Sequence, residues 1–253
     1  MFKDSTQKFN GIAKEYTLGR PTYSEELIDM LYSQCDFSSH SIIADIGSGT
    51  GKFAKQLLDK GSFVYCVEPN DDMRNIAIQE LTAYKNFCAV QGTAAETGLL
   101  EKSIDFVTCA QAFHWFDVLA FKKECKRILK EDGLVFLIWN MRDMSCDINK
   151  ECFDIYIKFC PDFRGFGGGI QKDDNRITQF FNNEYRYVEF DNPLIYDKET
   201  FISRSLSGSY SLKKGDVAYQ EYLAELNNLF EKYAKDNILT MRNKTVVYFG
   251  NVK

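Results

Sequence analysis

Two acids and a run of glycines carry the clearest chemical signal in this sequence. Asp45 lies two residues before Gly47, which is followed by Gly49 and Gly51 at alternating positions. Glycines adopt backbone angles closed to other residues, so a ligand can lie directly against the main chain of such a turn. A second acid, Glu68, follows the next apolar run, where a carboxylate can accept hydrogen bonds from both hydroxyls of a ribose. The pattern predicts a nucleoside site in which Asp45 faces a positive ammonium group.

The elements that must position these groups can be predicted on both sides of the glycine turn. Residues 42–46 are apolar and rich in β-branched side chains, as in a strand buried on both faces of a parallel sheet. Residues 52–60 predict a helix that ends at Gly61, and residues 63–68 predict the next strand. A strand, a glycine turn and a helix N-terminus together form a nucleotide cradle in doubly wound α/β folds.

The glycine spacing bears on the class of nucleotide. A dinucleotide fingerprint has the spacing G-x-G-x-x-G, whereas here the third glycine comes one residue early, and Lys52 stands in its place. The run from Asp45 to Gly51 instead resembles the first motif, acid-x-G-x-G-x-G, of class I S-adenosylmethionine-dependent methyltransferases. The run from Glu68 to Met73 matches the acid-x-x-x-x-Met pattern of the same family. A nicotinamide-dependent oxidoreductase and a non-catalytic S-adenosylmethionine-binding protein are the alternatives.

The resemblance is to the type 11 group of these enzymes, including the trans-aconitate methyltransferase-like proteins. It implies S-adenosyl-L-methionine as the cofactor. The cofactor-binding residues that it predicts are Tyr16, Arg20, Asp45, Gly47, Ser48, Gly49, Gly51, Glu68, Pro69, Met73, Ala95, Glu96, Gln111 and Ala112. Arg20 could pair with the carboxylate of the cofactor in a forked geometry, or it is a surface arginine beside a turn proline. Glu96 either meets the adenine amino group or is an exposed loop acid.

The run from Gln111 to Phe116, reading Gln-Ala-Phe-His-Trp-Phe, follows a predicted strand and should lie at the mouth of the site. In the resemblance, His114 and Trp115 face the methyl acceptor. An acceptor that must lose a proton needs a general base, and His114 is the available imidazole; its alternative is a packing or orienting role. A carboxylate acceptor needs no base but favours arginines, for which Arg20, Arg142, Arg164 and Arg204 are candidates. The predicted substrate-binding residues are Trp115, Phe116, Arg142, Arg204 and Tyr210.

The predicted fold is α/β, a Rossmann-like doubly wound sheet, and the resemblance implies seven strands, mostly parallel with an antiparallel edge. Strands and helices alternate over residues 41–140, which form the cofactor-binding core, and a helix over residues 118–130 precedes the fifth strand. Residues 1–40 are expected to form an N-terminal helical lid, and residues 141–184 a helical cap insertion. Residues 185–253 are expected to complete the sheet and the substrate side, so that residues 1–253 form a single methyltransferase domain.

Charge and composition limit the partners. The net charge of −5 gives no general attraction to nucleic acid or to anionic membranes, and no apolar run approaches the length of a membrane span. We therefore expect a small-molecule acceptor. Eight cysteines without a secretory signal or a C-x-x-C pair predict reduced thiols in a cytoplasmic protein. With only two histidines, no metal site is expected, and the sequence does not indicate an oligomeric state.

Overall fold

The computed structural model describes residues 21–170, 172–208 and 210–252. Two predicted cofactor-binding residues, Tyr16 and Arg20, lie outside the described residues, as does the part of the predicted lid before residue 21. No described helix is both long enough and apolar enough to cross a membrane.

A seven-stranded sheet forms the centre of the described chain. The strands, in chain order, are β1 (Ile42–Ile46), β2 (Phe63–Val67), β3 (Phe87–Val90), β4 (Ile104–Ala110), β5 (Leu129–Arg142), β6 (Arg186–Asp191), β7 (Leu194–Tyr196), β8 (Leu239–Met241) and β9 (Asn243–Gly250). The order in the sheet is β3-β2-β1-β4-β5-β9-β6, and β7 pairs with β8 in a separate ribbon. The pairs from β3 to β5 are parallel, whereas β9 is antiparallel to both β5 and β6. The predicted sheet is confirmed, including its antiparallel edge.

Helices connect the strands and cover the sheet. They are α1 (Glu25–Gln34), α2 (Lys52–Asp59), α3 (Asp71–Leu81), α4 (Val118–Ile128), α5 (Asp147–Phe159), α6 (Asn175–Phe181), α7 (Lys198–Leu206) and α8 (Tyr219–Tyr233), with 3-10 turns at Phe113–Trp115 and Phe166–Gly169. The Asn70 side chain accepts from Met73 N and caps α3, and the Asp117 side chain accepts from Ala120 N and caps α4. Both caps provide acceptors for backbone N–H groups that have no partner within a helix.

The boundary between α4 and β5 differs from the prediction. The helix was expected to reach residue 130, but it ends at Ile128, and β5 begins at Leu129 by pairing with Ile104. Gly133 lies within the strand, where an added Cβ would be 2.7 Å from Leu129 Cδ2. This glycine therefore permits a close approach inside the strand, and it does not stop the helix.

Three clusters of buried side chains hold the layers together. On one face of the sheet, Trp139 and Phe113 pack with α4 and α6, and on the other Phe136 packs with α1 and α2. A third cluster includes Tyr156 of α5 and Tyr222 of α8 together with α7 and the β7–β8 ribbon. The predicted cap insertion, residues 141–184, and the part that follows it thus share one hydrophobic cluster after the end of β5.

Candidate active site

A cavity of about 620 Å³ lies along the C-terminal ends of the parallel strands. It extends from Glu68, after β2, past the loops that follow β1 and β4, to Arg142 at the end of β5. Three strand spacings separate β2 from β5 in the sheet, which corresponds to about 14 Å. The cavity therefore has room for a small-molecule ligand and a second group beside it.

Most of the predicted site residues line this cavity. They are Asp45, Gly47, Ser48, Gly49, Glu68, Pro69, Met73, Ala95, Gln111, Ala112, His114, Trp115, Phe116, Arg142, Arg204 and Tyr210. Gly51 and Glu96 are not in the wall. Gly51 is the N-cap residue that precedes α2, at φ 79°, and a Cβ added to it would lie 2.5 Å from Leu81 Cδ1, so this glycine permits close helix packing. Glu96 is an exposed loop residue, and its neighbours Thr93 and Ala94 face the cavity instead.

The glycine turn after β1 contains two glycines with different surroundings. Gly47 and Gly49 both have positive φ, at 69° and 58°. A Cβ on Gly47 would lie 2.6 Å from Ala112 Cβ, so the bare backbone lets the loops after β1 and β4 approach each other. Gly49 lines the cavity, and a Cβ added to it would have no atom within 4 Å. The turn is thus packed on one side and open to a ligand on the other.

The Glu68 carboxylate is fixed in the wall by backbone donors. Its Oε2 accepts from Gly49 N at 2.9 Å, and its Oε1 accepts from Asn70 N at 2.8 Å. Burial raises the pKa of this carboxyl, while the two backbone N–H groups and Arg74 oppose the rise. A carboxylate offers about four acceptor positions, so each oxygen can accept a further hydrogen bond from a ligand in the cavity.

Asp45 presents a buried oxygen to the cavity wall. The residue is 1% exposed, and its Oδ1 accepts from Thr108 Oγ1 at 2.8 Å. Its Oδ2 has no hydrogen-bond partner among the described residues, and the same is true of Oγ1 of Thr50, which also lines the cavity. Burial raises the pKa of Asp45 to about 7; the Thr108 hydrogen bond opposes this rise and the charge of Glu68 adds to it. A cationic or hydrogen-bond-donating ligand group would satisfy the unpartnered oxygens.

A polar network holds the segment before α1 against the ends of β5 and β9. Asn140 Nδ2 and Asn192 Nδ2 donate to the carbonyl oxygen of Thr22, at 3.1 and 3.0 Å. Thr245 Oγ1 donates to Asn140 Oδ1 at 2.7 Å and accepts from Ser24 N at 3.0 Å. The network places Pro21 and Tyr23 in the cavity wall. The sequence prediction missed it, because its members come from distant parts of the chain and match no motif.

The far end of the cavity is rich in arginine and aromatic side chains. Arg142, Arg164 and Arg204 line it together with Phe166 and Tyr210. Arg164 Nη1 donates to the carbonyl oxygen of Pro161 at 2.7 Å, in the segment between α5 and the second 3-10 turn. Between this end and Glu68 lies the run after β4, where Gln111, at φ 57°, donates from Nε2 to Asn140 O at 3.0 Å. His114 and Trp115 lie in this middle part of the wall, with ring centroids 4.9 Å apart.

The core of the chain is similar in sequence to known proteins. A family model described as a methyltransferase domain matches residues 44–137. An uncharacterised methyltransferase of Mycobacterium tuberculosis is 34% identical over 141 residues, which are 56% of this chain and 55% of the relative. The chain thus spans about half of the length of the curated relatives that it matches.

Solved structures share the fold over most of the chain. A putative type II methyltransferase from Anaeromyxobacter dehalogenans has a TM-score of 0.62 at 18% identity, covering 92% of this chain and 98% of that one. A SAM-dependent methyltransferase from Aquifex aeolicus has a TM-score of 0.52 at 17% identity, covering 70% of this chain and 89% of the other. Residues 44–137 are thus similar to a methyltransferase domain, and the fold of the chain is that of the solved methyltransferase structures.

Proposed function

We propose that this protein transfers a methyl group from S-adenosyl-L-methionine to a small-molecule acceptor. The single observation that carries the proposal is the open side of Gly49, which faces the cavity next to the fixed carboxylate of Glu68. A nucleoside can lie against this backbone with its ribose hydroxyls on Glu68. The unpartnered oxygen of Asp45 suits the ammonium group of the same ligand.

The residues of the chain would act chiefly by holding the two reactants together. When bound, the cofactor supplies an electrophilic methyl group on a positively charged sulfur. Holding two reactants at attack distance and in line can lower the activation free energy by up to about 7 to 11 kcal/mol. In this arrangement Glu68 and the glycine turn fix one reactant, while the aromatic and arginine-lined end of the cavity receives the other. Few catalytic side chains are then required.

We propose His114 as the general base for an acceptor that must lose a proton. Its position in the wall, between the glycine turn and the arginine-lined end, is what supports this role. We expect His114→Gln to slow single-turnover methyl transfer to a phenol by about 100-fold, without changing the affinity for S-adenosylhomocysteine. Transfer of labelled methyl groups to a panel of phenols and carboxylic acids measures this rate. An unchanged rate with a phenol would assign His114 to packing alone.

A pair of glycine variants tests the cofactor site directly. Gly49 and Gly98 both have positive φ and open space around an added Cβ, but only Gly49 lines the cavity. Each alanine variant should lower the free energy of unfolding by about 1 to 2 kcal/mol, because both residues adopt the left-handed conformation. Gly49→Ala should in addition weaken S-adenosylhomocysteine binding about tenfold or more, since overpacking a fitted site costs about 1 to 3 kcal/mol. Gly98→Ala should bind like the parent.

Calorimetric titration with S-adenosylmethionine, S-adenosylhomocysteine, NADH and NADPH in parallel measures these affinities. The proposal requires that the first two ligands bind and that Gly49→Ala selectively weakens them. Binding of a nicotinamide cofactor instead would establish the oxidoreductase alternative. Equal affinities of the two alanine variants for S-adenosylhomocysteine would mean that the ligand does not lie on the glycine turn.

A further inference from the structure

We propose that Glu124 of α4, which is not part of the cavity wall, is a positioning residue that sets the preference of the site for an adenine base. This role rests on the proposed function, because it concerns the end of the same ligand that lies beyond the ribose. In the sheet, β1 with Asp45 is followed by β2, which leads to Glu68, and then by β3 and its loop. With the ammonium group at Asp45 and the ribose at Glu68, the base extends towards the loop after β3, about 5 Å further along the sheet.

The loop after β3 is a closed turn whose tip lines the cavity. Thr93 N donates to Glu96 O at 2.9 Å, and Glu96 N donates back to Thr93 O at 3.3 Å and to Thr93 Oγ1 at 3.1 Å. Between them, Ala94 and Ala95 line the cavity together with Thr93. The Glu96 carboxylate, which was a candidate partner of the adenine amino group, is exposed and outside the wall. The base is then recognised by backbone groups and the Thr93 hydroxyl, whose positions depend on how the loop is held.

Glu124 holds the C-terminal side of this loop through Thr97. Its Oε1 accepts from Thr97 N at 2.9 Å and from Thr97 Oγ1 at 2.5 Å. Thr97 is fully buried, and its Oγ1 also accepts from Leu99 N at 3.2 Å. At the start of the loop, a Cβ added to Gly92 would lie 2.7 Å from Thr97 O, so the two sides of the loop are in close contact. Both sides therefore depend on Thr97, which a carboxylate from a separate helix holds.

The carboxylate of Glu124 is itself oriented and kept charged. Arg127 donates from Nε to Oε2 at 2.8 Å and from Nη2 to Oε1 at 2.7 Å, in a forked pair. Glu124 is 6% exposed. Burial alone would raise the pKa of its carboxyl, but the hydrogen bonds from Arg127 and Thr97 outweigh burial and lower the pKa to about 2. Glu124 is therefore ionised at neutral pH, and an ionised acceptor makes stronger hydrogen bonds to Thr97 than a neutral one does.

Adenine and hypoxanthine present opposite hydrogen-bonding edges to such a loop. Adenine has a donating amino group at C6 and an acceptor at N1, whereas hypoxanthine has a carbonyl oxygen at C6 and an N–H group at N1. A loop that is fixed for the first edge leaves groups unpaired against the second, and it therefore discriminates strongly. A loop that can shift accommodates either edge. Loss of the contact between Glu124 and Thr97 should thus weaken the binding of the adenine ligand without weakening that of the hypoxanthine ligand.

The preference for S-adenosylhomocysteine over S-inosylhomocysteine, in which a 6-oxo group replaces the 6-amino group, tests this role. We expect the parent protein to bind the adenine compound about 100-fold more tightly, because the other edge leaves donors and acceptors of the loop unsatisfied. Glu124→Gln and Thr97→Val should each reduce this preference about tenfold, since each removes a hydrogen bond to a charged acceptor. Calorimetric titration, with competition for the weaker ligand, measures both affinities.

Further variants separate positioning from stability. Thr97→Val leaves the pair of Glu124 with Arg127 intact, so it tests the contact even if Glu124→Gln fails to fold. Thr97→Ser keeps the hydroxyl and should keep most of the preference. The double variant Glu124→Gln/Thr97→Val should lose no more than the larger single loss, because both changes break the same contact. Glu131→Gln is the matched control and should bind like the parent, since Glu131 is exposed and does not line the cavity.

The outcomes distinguish this role from the proposed function. If the parent does not bind S-adenosylhomocysteine, the proposed function fails and the role of Glu124 fails with it. If the parent binds both compounds equally well, or Thr97→Val keeps the full preference, Glu124 does not position the base, although the proposed function stands. Equal losses of affinity for both compounds, or additive losses in the double variant, would also overturn the inference, because Glu124 would then support the fold and not the recognition of the base.

Discussion

Replacement of Glu68 by alanine should weaken the binding of S-adenosylhomocysteine by about 100-fold or more, because two hydrogen bonds to a charged acceptor are worth about 1.5 to 3 kcal/mol each. The carboxylate is 8% exposed, lines the cavity, and is already oriented by Gly49 N and Asn70 N. A ribose would therefore meet an acceptor that needs no rearrangement. Calorimetric titration with S-adenosylhomocysteine measures the change.

The same substitution should also destabilise the protein, because it leaves two backbone N–H groups without their acceptor. Each such group costs about 1 to 3 kcal/mol when it stays buried and unsatisfied. Glu68→Gln keeps one carbonyl oxygen and the shape of the side chain, so it should remain folded if the alanine variant does not. Its amide NH₂ would then face a backbone N–H donor, and we expect an intermediate loss of affinity.

Glu80→Gln is the control for Glu68. Glu80 lies on the exposed side of α3, away from the cavity wall, so its replacement should change neither the affinity nor the urea midpoint. If Glu68→Gln bound S-adenosylhomocysteine as tightly as Glu80→Gln does, the ribose would have to lie elsewhere in the cavity.

The sheet and the glycine turn could be predicted because their signals are local. Apolar runs such as residues 42–46, followed at once by glycines and then by a helix, specify a strand, a turn and a helix within a few residues. The antiparallel edge was also predicted, but from the resemblance to class I methyltransferases and not from a local signal. By contrast, the exact end of α4 depended on Leu129 pairing with Ile104, which is a tertiary contact.

The parts of the site that were missed are assembled from distant segments. The sequence marked Asn140 only as the last residue of the predicted cofactor-binding core, and its link through Asn192 to Thr22 depends on how β5, β9 and the segment before α1 meet. The surroundings of Arg142 likewise combine Asn149 of α5 with Met241 of β8. The residue type alone made Arg142 a candidate for substrate binding, but only the fold shows which groups contact its side chain.

Binding of S-adenosylhomocysteine should strengthen as the pH rises from 5.5 to 7.5, because of Asp45. Burial raises the pKa of this carboxyl from 3.8 to about 7. Below pH 7 the free protein therefore holds a proton that must leave before Asp45 can pair with an ammonium group. Affinity should change by up to about tenfold per pH unit below that pKa, and binding should release a proton. Calorimetry in two buffers with different ionisation enthalpies counts the released proton.

The same pKa predicts how the free protein responds to pH. Between about pH 4 and pH 7 the native state binds a proton at Asp45 that the unfolded chain has lost, so stability decreases as the pH rises through this window. The difference between the ends of the window is of the order of 4 kcal/mol for this one group. Urea unfolding at a series of pH values, with and without S-adenosylhomocysteine, measures it, and the bound ammonium group should offset the loss above pH 7.

Asp45→Asn separates this effect from the other titrating groups. The amide still offers Thr108 an acceptor, but it neither ionises nor attracts an ammonium group. The variant should bind S-adenosylhomocysteine more weakly at pH 7.5, lose the dependence of affinity on pH, and release no proton. Asp29→Asn is the control, because Asp29 is 70% exposed and pairs with Lys60 on the surface. If the parent's affinity were constant from pH 5.5 to 7.5, the ammonium group would not be bound at Asp45, and the unpartnered Oδ2 would face a neutral donor instead.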